Sequence, residues 1–215
     1  MTTPPPNPRI YHISHCDNLD AILAAGELRC DALMAQRGGP SAMIGFSHIK
    51  QRRFSLPVKC YPEDRVSDYV PFYFCPRSVM LYVIHRGTQP DLNYRGGQEP
   101  ILHLESDLHQ VLEWAAQERR RWAFTSSNAG ASYALFWNRV ERLDQVNWEA
   151  VAARDWRASE VKEGKQAEFL VHGTFPLTLI SRIGVRSMQI QERVEAALAG
   201  AGYSIPVQVR SEWYY

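Results

Sequence analysis

Cysteine is scarce and scattered in this chain of 215 residues: Cys16, Cys30, Cys60 and Cys75 stand far apart. No pair has the short gap of a zinc knuckle or a redox dithiol, which speaks against both. Neither sign of charge is in surplus. Lys and Arg number 24 against 23 Asp and Glu, a formal net charge of +1. No global field therefore draws the chain to nucleic acid or an anionic membrane, and any anion site must be local. Apolar runs fall short of the roughly 20 residues that span a bilayer. There is no G-x-G-x-x-G, no Walker loop and no internal repeat, which removes the common nucleotide-binding folds and the solenoids. The opening Thr-Thr-Pro-Pro-Pro lacks a basic-then-apolar leader. These absences set the expectation of a cytoplasmic protein with reduced thiols, no metal and no membrane partner.

What is present is an ordinary globular composition, 45% apolar and 22% charged, long enough to bury about 70% of the unfolded surface without a staple. Residues 1–8 read as an extended, flexible Pro-rich lead-in, and 9–215 as a single domain. Arg9 to Ser14 reads as a strand. Asp17 or Asn18 caps a helix carrying Leu19, Ile22 and Leu23, which Gly26 ends. Residues 29–67 are rich in turn formers and read as irregular, with one helical turn at Ile49 to Arg53. Val70 to Phe74 is a tight apolar aromatic run. Val79 to Ile84 reads as a buried strand, and Ile101 to Leu104 as another. Ser106 or Asp107 caps a helix with Leu108, Val111, Leu112 and Ala115 on one face. Trp122 to Thr125 and Glu168 to Val171 read as strands, Ala131 to Trp137 as helix or irregular, and Asn147 to Gly164 as helical. Ser187 caps a last helix carrying Ile190, Val194 and Leu198. A strand at Val207 to Arg210 closes the pattern, with Trp213 to Tyr215 tucked against the body. Strands and helices mix without βαβ alternation, so the class is α+β.

Three separate segments carry the chemistry. Glu168, in Lys165-Gln166-Ala167-Glu168-Phe169-Leu170-Val171, is a carboxylate at the head of an apolar strand. Taken alone it is a charge at a strand edge; partly desolvated, it is a group to hold a ribose hydroxyl, steady a cationic sugar or take a proton. Lys165 and Gln166 would orient it or bind a phosphate. His12 is either a structural strand histidine or a donor to ribose hydroxyls. Arg52 and Arg53 form either a solvated basic turn or a phosphate clamp. Arg119 to Arg121 read as a solvated face or as a track for a nucleic-acid backbone. Phe72, Tyr73 and Phe74 are core, or one of them stacks on a flat heterocycle. Trp122, Tyr133, Phe136 and Trp137 surround Thr125-Ser126-Ser127-Asn128, a grouping that either packs internally or grips unpaired bases.

The residues also carry a resemblance. Tyr11-His12-Ile13-Ser14-His15 with Asn18-Leu19 looks like the opening motif of the DarT family, bacterial toxins that are NAD-dependent DNA ADP-ribosyltransferases. Ile49-Lys50-Gln51-Arg52-Arg53 and Asp68-Tyr69-Val70-Pro71-Phe72-Tyr73-Phe74-Cys75-Pro76-Arg77-Ser78, with Met80-Leu81-Tyr82, are similar to its central block. Lys165 to Val171 matches its catalytic glutamate motif, and Glu212-Trp213-Tyr214-Tyr215 its ending. Ser14 stands where the family often has Thr, and the hydroxyl survives.

The resemblance implies an ADP-ribosyltransferase-type fold, with two small antiparallel or mixed sheets forming an NAD cleft flanked by helices. It implies Glu168 as the catalytic glutamate and one of Arg52 and Arg53 beside it, Arg53 being favoured. It places His12, Ser14, Asn18, Tyr73 and Arg53 along NAD, and makes about 119–164 the acceptor-selecting region. There Trp122, Ser126, Asn128, Tyr133 and Trp137 would contact single-stranded DNA. The implied product is a base carrying ADP-ribose, thymidine in one branch and guanosine in another, and the implied protein partner is a macrodomain antitoxin. A non-catalytic nucleic-acid-binding module is the competing reading.

Overall fold

The computed structural model describes residues 3–215. The chain opens with β1 (Arg9–His15), α1 (Leu19–Ala25), β2 (Glu27–Arg29), α2 (Asp31–Ala35) and α3 (Ser47–Arg53). Next come β3 (Pro57–Val58), β4 (Tyr61–Arg65), β5 (Tyr69–Tyr73), α4 (Val79–Arg86), β6 (Ile101–Asp107), α5 (Leu108–Gln117), β7 (Trp122–Thr125) and β8 (Phe136–Trp137). Then follow α6 (Trp148–Ala152), α7 (Ser159–Gly164), β9 (Glu168–His172), β10 (Thr174–Pro176), β11 (Arg182–Val185), α8 (Met188–Gly200) and β12 (Val207–Val209).

Eight strands form a sheet in the order β12-β11-β6-β1-β5-β9-β7-β8. Its pairings are antiparallel apart from β11 with β12. The sheet behaves as two four-stranded halves. β1 pairs with β6 along its whole length, and β5 pairs likewise with β9. Between β1 and β5 there is one pair only, Tyr11 opposite Tyr73. The expected two small sheets are thus joined at a one-residue seam, and the main cleft lies where β1 and β5 part.

The strand period of two decides what each side chain meets. Along β5, Val70 and Phe72 point into the main core, as does Phe74 just beyond the strand. The Phe72 and Phe175 rings lie 4.7 Å apart, and Phe74 meets Trp148 at 5.1 Å. Each such side chain contributes roughly 1.5–3 kcal/mol on burial. The end of the chain braces the other half. Trp213 lies edge-on to Tyr11 at 5.2 Å, and Tyr214 Oη donates to the Ile101 carbonyl at 2.6 Å. Trp213 also covers Gly184 so closely that any Cβ there would collide with the ring.

Several expectations change. Val79 to Ile84 is not a strand but the body of α4. Ser78 caps it by accepting from the Leu81 amide at 3.1 Å, and Gly87 ends it in the left-handed region at φ 59°. A short apolar run has no period of its own, and the cap was the signal that mattered. Residues 29–67 are not irregular: α2, α3 and the β3–β4 ribbon lie there, and the turn expected near Ile49 begins at Ser47. Ala131 to Trp137 ends in a two-residue strand. The lead-in is held down from Pro6 on: Pro6 O accepts from His109 Nε2 at 3.1 Å and Pro8 O from the Leu108 amide at 3.1 Å. Residues 1–2 of that stretch lie outside the described residues.

Candidate active site

A cleft of about 440 Å³ opens at the seam, within the size range of small-molecule and cofactor sites. β1 supplies His12 and Ser14, β5 supplies Tyr73, β9 supplies Glu168 and α3 supplies Arg53. Residues 39–46, between α2 and α3, form a further wall.

Glu168 and Arg53 sit at the inner end, 2% and 6% exposed. Arg53 Nη1 donates to Glu168 Oε2 at 3.0 Å. The Ala129 amide donates to Oε1 at 2.8 Å, and Thr125 Oγ1 accepts from the Glu168 amide at 3.0 Å. Each carboxylate oxygen is held once and keeps a lone pair for a further partner. Glu168 therefore has a fixed direction and spare acceptor capacity. Asp31 approaches Arg53 Nε at 3.8 Å and pairs with Lys50 Nζ at 3.0 Å. Burial by itself would lower the Arg53 pKa; the Glu168 and Asp31 carboxylates outweigh it and hold the guanidinium above its ordinary value. Arg53 Nε and Nη2 are buried without a hydrogen-bond partner. Arg53 lines the cleft, and a guanidinium with hydrogen-bonding capacity left over suits an anionic or carbonyl-bearing ligand.

The neighbour Arg52 is exposed and does not line the cleft, so the geometry separates two arginines that the sequence leaves equivalent. Tyr73 stands directly opposite Glu168 in the β5–β9 register. Its phenol pKa is raised by burial first and by the Glu168 charge second, so it stays neutral. Phe72 and Phe74 turn into the core, so Tyr73 alone of the three lines the cleft.

His12 Nδ1 lies 2.8 Å from the Pro71 carbonyl, across the parting of β1 and β5. A carbonyl only accepts, so Nδ1 carries the proton. Burial keeps the imidazole below its ordinary pKa. Neutral His12 therefore offers Nε2 as an acceptor. The expectation of a donor is corrected: the donor is already used. Ser14 Oγ accepts from Asn18 Nδ2 at 3.2 Å.

Lys165 is not at the site. It is buried, and its ammonium donates to the Val151 and Ala153 carbonyls at 2.9 and 2.8 Å, closing the end of α6. Gln166 does line the cleft. Of the expected acceptor contacts, Trp122 and Trp137 face the other side of the sheet. Trp122 stacks on Phe169 at 5.6 Å and Trp137 on Phe124 at 5.5 Å. Alternation along β9 sets Phe169 opposite in face to Glu168, so these two indoles, half-buried, pack against the core on the far face. Asn128 reaches the cleft. Ser126 stands half-buried on the loop after β7, and Tyr133 is 65% exposed further along it. Arg121 is tied to Asp64 at 2.8 Å and Arg120 lies over Trp114, at the end of β7 remote from Glu168.

Sequence reasoning missed Asp31, Thr125 and the Ala129 amide as partners of the central pair. Thr125 in strand β7 and Asp31 in the first turn of α2 carry no motif that marks them. Among the described residues, one group has metal-ligand spacing: His15, Cys16 and Asp17. Arg193 already sits on it, with Nη1 at 2.8 Å from Cys16 Sγ and Nη2 at 2.7 Å from Asp17 Oδ1.

Comparison with known proteins agrees with this arrangement. Residues 11–215 match the family described as ssDNA thymidine ADP-ribosyltransferase, DarT. A DNA ADP-ribosyl transferase of Thermus aquaticus is 42% identical over 208 residues, covering 96% of this chain and 88% of the relative. The protein of that name from Thermus sp. (strain 2.9) is 41% identical over 219 residues, covering 100% of this chain and 99% of its own. The solved structure of Thermus sp. 2.9 DarT in complex with ADP-ribosylated ssDNA superposes with a TM-score of 0.89 at 39% identity, covering 100% of this chain and 99% of that one. The same protein in complex with NAD+ gives 0.83 at 38%, covering 99% and 100%. With a family match along nearly its whole length and a site built on its motifs, this chain belongs to the DarT family of ssDNA thymidine ADP-ribosyltransferases.

Proposed function

We propose that the protein transfers ADP-ribose from NAD to thymidine in single-stranded DNA and releases nicotinamide, with Glu168 and Arg53 as the central pair. The observation that carries this reading is the buried Glu168–Arg53 contact at the inner end of a dinucleotide-sized cleft, with two Arg53 nitrogens that have no hydrogen-bond partner.

The chemistry follows from the groups present. Loss of nicotinamide breaks its bond to the ribose anomeric carbon, which becomes cation-like as the leaving group takes the electron pair. A fixed carboxylate beside that carbon stabilises it. The base nitrogen then forms the new bond, and its proton passes to Glu168 through a lone pair not engaged by Ala129 or Arg53. Arg53 fixes the carboxylate, and its free N–H groups receive the negative charge of the diphosphate or a carbonyl of the base. His12 Nε2 accepts from a ribose hydroxyl, Ser14 lines the same edge, and Tyr73 packs on nicotinamide. On the outer side, Tyr133, Ser126 and Asn128 meet the DNA, whose unpaired bases present their edges without the cost of leaving a duplex.

As a toxin of this type the protein would act in the cytoplasm and have a macrodomain antitoxin as the partner that removes the modification. The four free cysteines suit a reducing compartment, and among the described residues no helix is long and apolar enough to cross a membrane.

The test is incubation with NAD and a set of oligonucleotides, single-stranded and duplex, with each base in turn at a fixed position. Mass spectrometry is expected to show one ADP-ribose on thymidine in single strands. NAD consumption without a modified oligonucleotide, or modification of duplex and single strand alike, overturns the assignment.

A further inference from the structure

Asn18 was expected close to the ribose, and it does line the cleft, but its side chain is already committed to protein partners. Nδ2 donates to the Ala42 carbonyl at 2.9 Å and to Ser14 Oγ at 3.2 Å. Oδ1 accepts from the Ala42 amide at 2.8 Å. A primary amide has two N–H groups, and both are used. Asn18 is buried at the junction between β1 and α1, so it is a fixed point on the body.

Ala42 lies in the segment 39–46, which walls the cleft. The segment is tethered at its ends. The Gly39 amide donates to Met34 O at 2.9 Å, and Phe46 O accepts from the Lys50 amide at 3.0 Å. Ile44 and Phe46 rest against the Tyr11–Trp213 cluster. Between these ends, among the described residues, the backbone of 40–45 makes no hydrogen bond apart from the two with Asn18. Ser41 and Met43 on either side are exposed. The amide of Asn18 imitates a strand neighbour, pairing with both backbone groups of one residue and holding the middle of an otherwise unpaired wall.

We infer that Asn18 is a positioning residue that acts on NAD binding through the 39–46 segment, and that it is not itself a ligand of the dinucleotide. The idea rests on the NAD-cleft reading for its functional half, but its structural half is independent of it. Two neutral hydrogen bonds correspond to roughly ten- to hundredfold in the equilibrium between the docked and undocked segment. A loosened wall weakens capture of NAD, while the Glu168–Arg53 pair, on other elements, is untouched.

The experiment compares wild type, Asn18→Ala and Asn18→Asp by amide hydrogen exchange without NAD and by steady-state kinetics. Exchange at the Ala42 amide, the one N–H of the segment 40–45 that is hydrogen-bonded among the described residues, is expected to rise at least tenfold in both variants. Aspartate keeps an acceptor for the Ala42 amide, but it sets a charge against the Ala42 carbonyl. KM for NAD is expected to rise about tenfold, with kcat within threefold. Thermal melting confirms that each variant is folded; if the alanine variant is not, the near-isosteric aspartate variant carries the comparison. Unchanged exchange at the Ala42 amide in a folded variant whose KM for NAD has risen makes Asn18 a direct ligand and overturns the inference. Unchanged exchange with unchanged KM overturns it as well. Failure of the NAD-cleft reading shows separately, as wild type that does not bind NAD while the exchange difference persists.

Discussion

Arg53 and Glu168 stand 115 positions apart in the chain and share a 3.0 Å hydrogen-bonded ion pair in a buried pocket. Such a pair is poor value for stability alone, because desolvating both charges offsets most of their attraction. A site that needs a carboxylate of fixed direction and a cation at the same spot is where that cost is retained.

Glu168→Gln removes the charge and the proton acceptor yet leaves an oxygen for the Ala129 amide. Transfer of labelled ADP-ribose to an oligonucleotide is expected to fall by about 10²–10⁴ in kcat. Arg53 keeps only the more distant Asp31 as a counter-charge, so stability also falls, by up to about 3–5 kcal/mol. Denaturant titration beside the activity assay separates the two effects, and wild-type turnover in a folded variant would remove Glu168 from the mechanism.

Arg52 and Arg53 give a paired contrast. Arg52 is exposed, and Arg52→Ala is expected to keep kcat within about twofold and stability within about 0.5 kcal/mol. Arg53→Ala deprives Glu168 Oε2 of its donor and is expected to cost at least about a hundredfold in kcat/KM. Equal losses in the two variants would mean that the geometry has chosen the wrong arginine.

Tyr133 and Trp122 make a second contrast. Tyr133 is exposed on the segment between β7 and β8, so Tyr133→Ala is expected to weaken binding of single-stranded DNA by about five- to a hundredfold, the worth of one stacked base. Its melting temperature should not change. Trp122 stacks on Phe169 behind the sheet. Trp122 is half-buried, and Trp122→Ala is expected to cost about 2–3 kcal/mol of stability, below the range for a fully buried aromatic. Fluorescence anisotropy with a labelled oligonucleotide, run beside urea melts, reads both.

His103 gives a pH dependence. It is fully buried, and burial pushes its imidazole down to about 4. Below its unfolded value near 6.5 the unfolded chain takes up a proton that the folded chain refuses, so stability falls as pH drops from about 6.5 to about 4. The loss over that window is roughly 3 kcal/mol at most. His103→Gln keeps a donor for the Pro76 carbonyl, which His103 Nε2 meets at 3.0 Å, and is expected to flatten this slope. An unchanged slope between pH 7 and pH 4.5 would assign the acid sensitivity to other groups, such as His12.

Much of the local structure was legible because its signals are local. Asp107 before the Leu108 helix and Ser187 before the last one are caps that bond the next turn. The strands at Arg9 and Glu168 announce themselves by composition and flanking turns. Reading failed where a signal needs a partner. Val79 to Ile84 is apolar enough for either element, and Ser78 decides the matter only when its hydroxyl is seen on the Leu81 amide. Trp122 and Trp137 look like a base-binding set beside a polar loop. Only the β7–β9 and β7–β8 registers reveal that they turn away from Glu168.

The sequence by itself determined the class of fold, the motifs and the two candidate arginines, since caps, periodicity and composition act over a few residues. The tertiary structure decided which arginine meets the glutamate, which ring of Phe72, Tyr73 and Phe74 lines the cleft, and that His12 and Asn18 have already used their donors. Those outcomes depend on strand register and on hydrogen-bond partners tens of residues away. A chain read along its length carries neither until packing fixes which face each side chain presents.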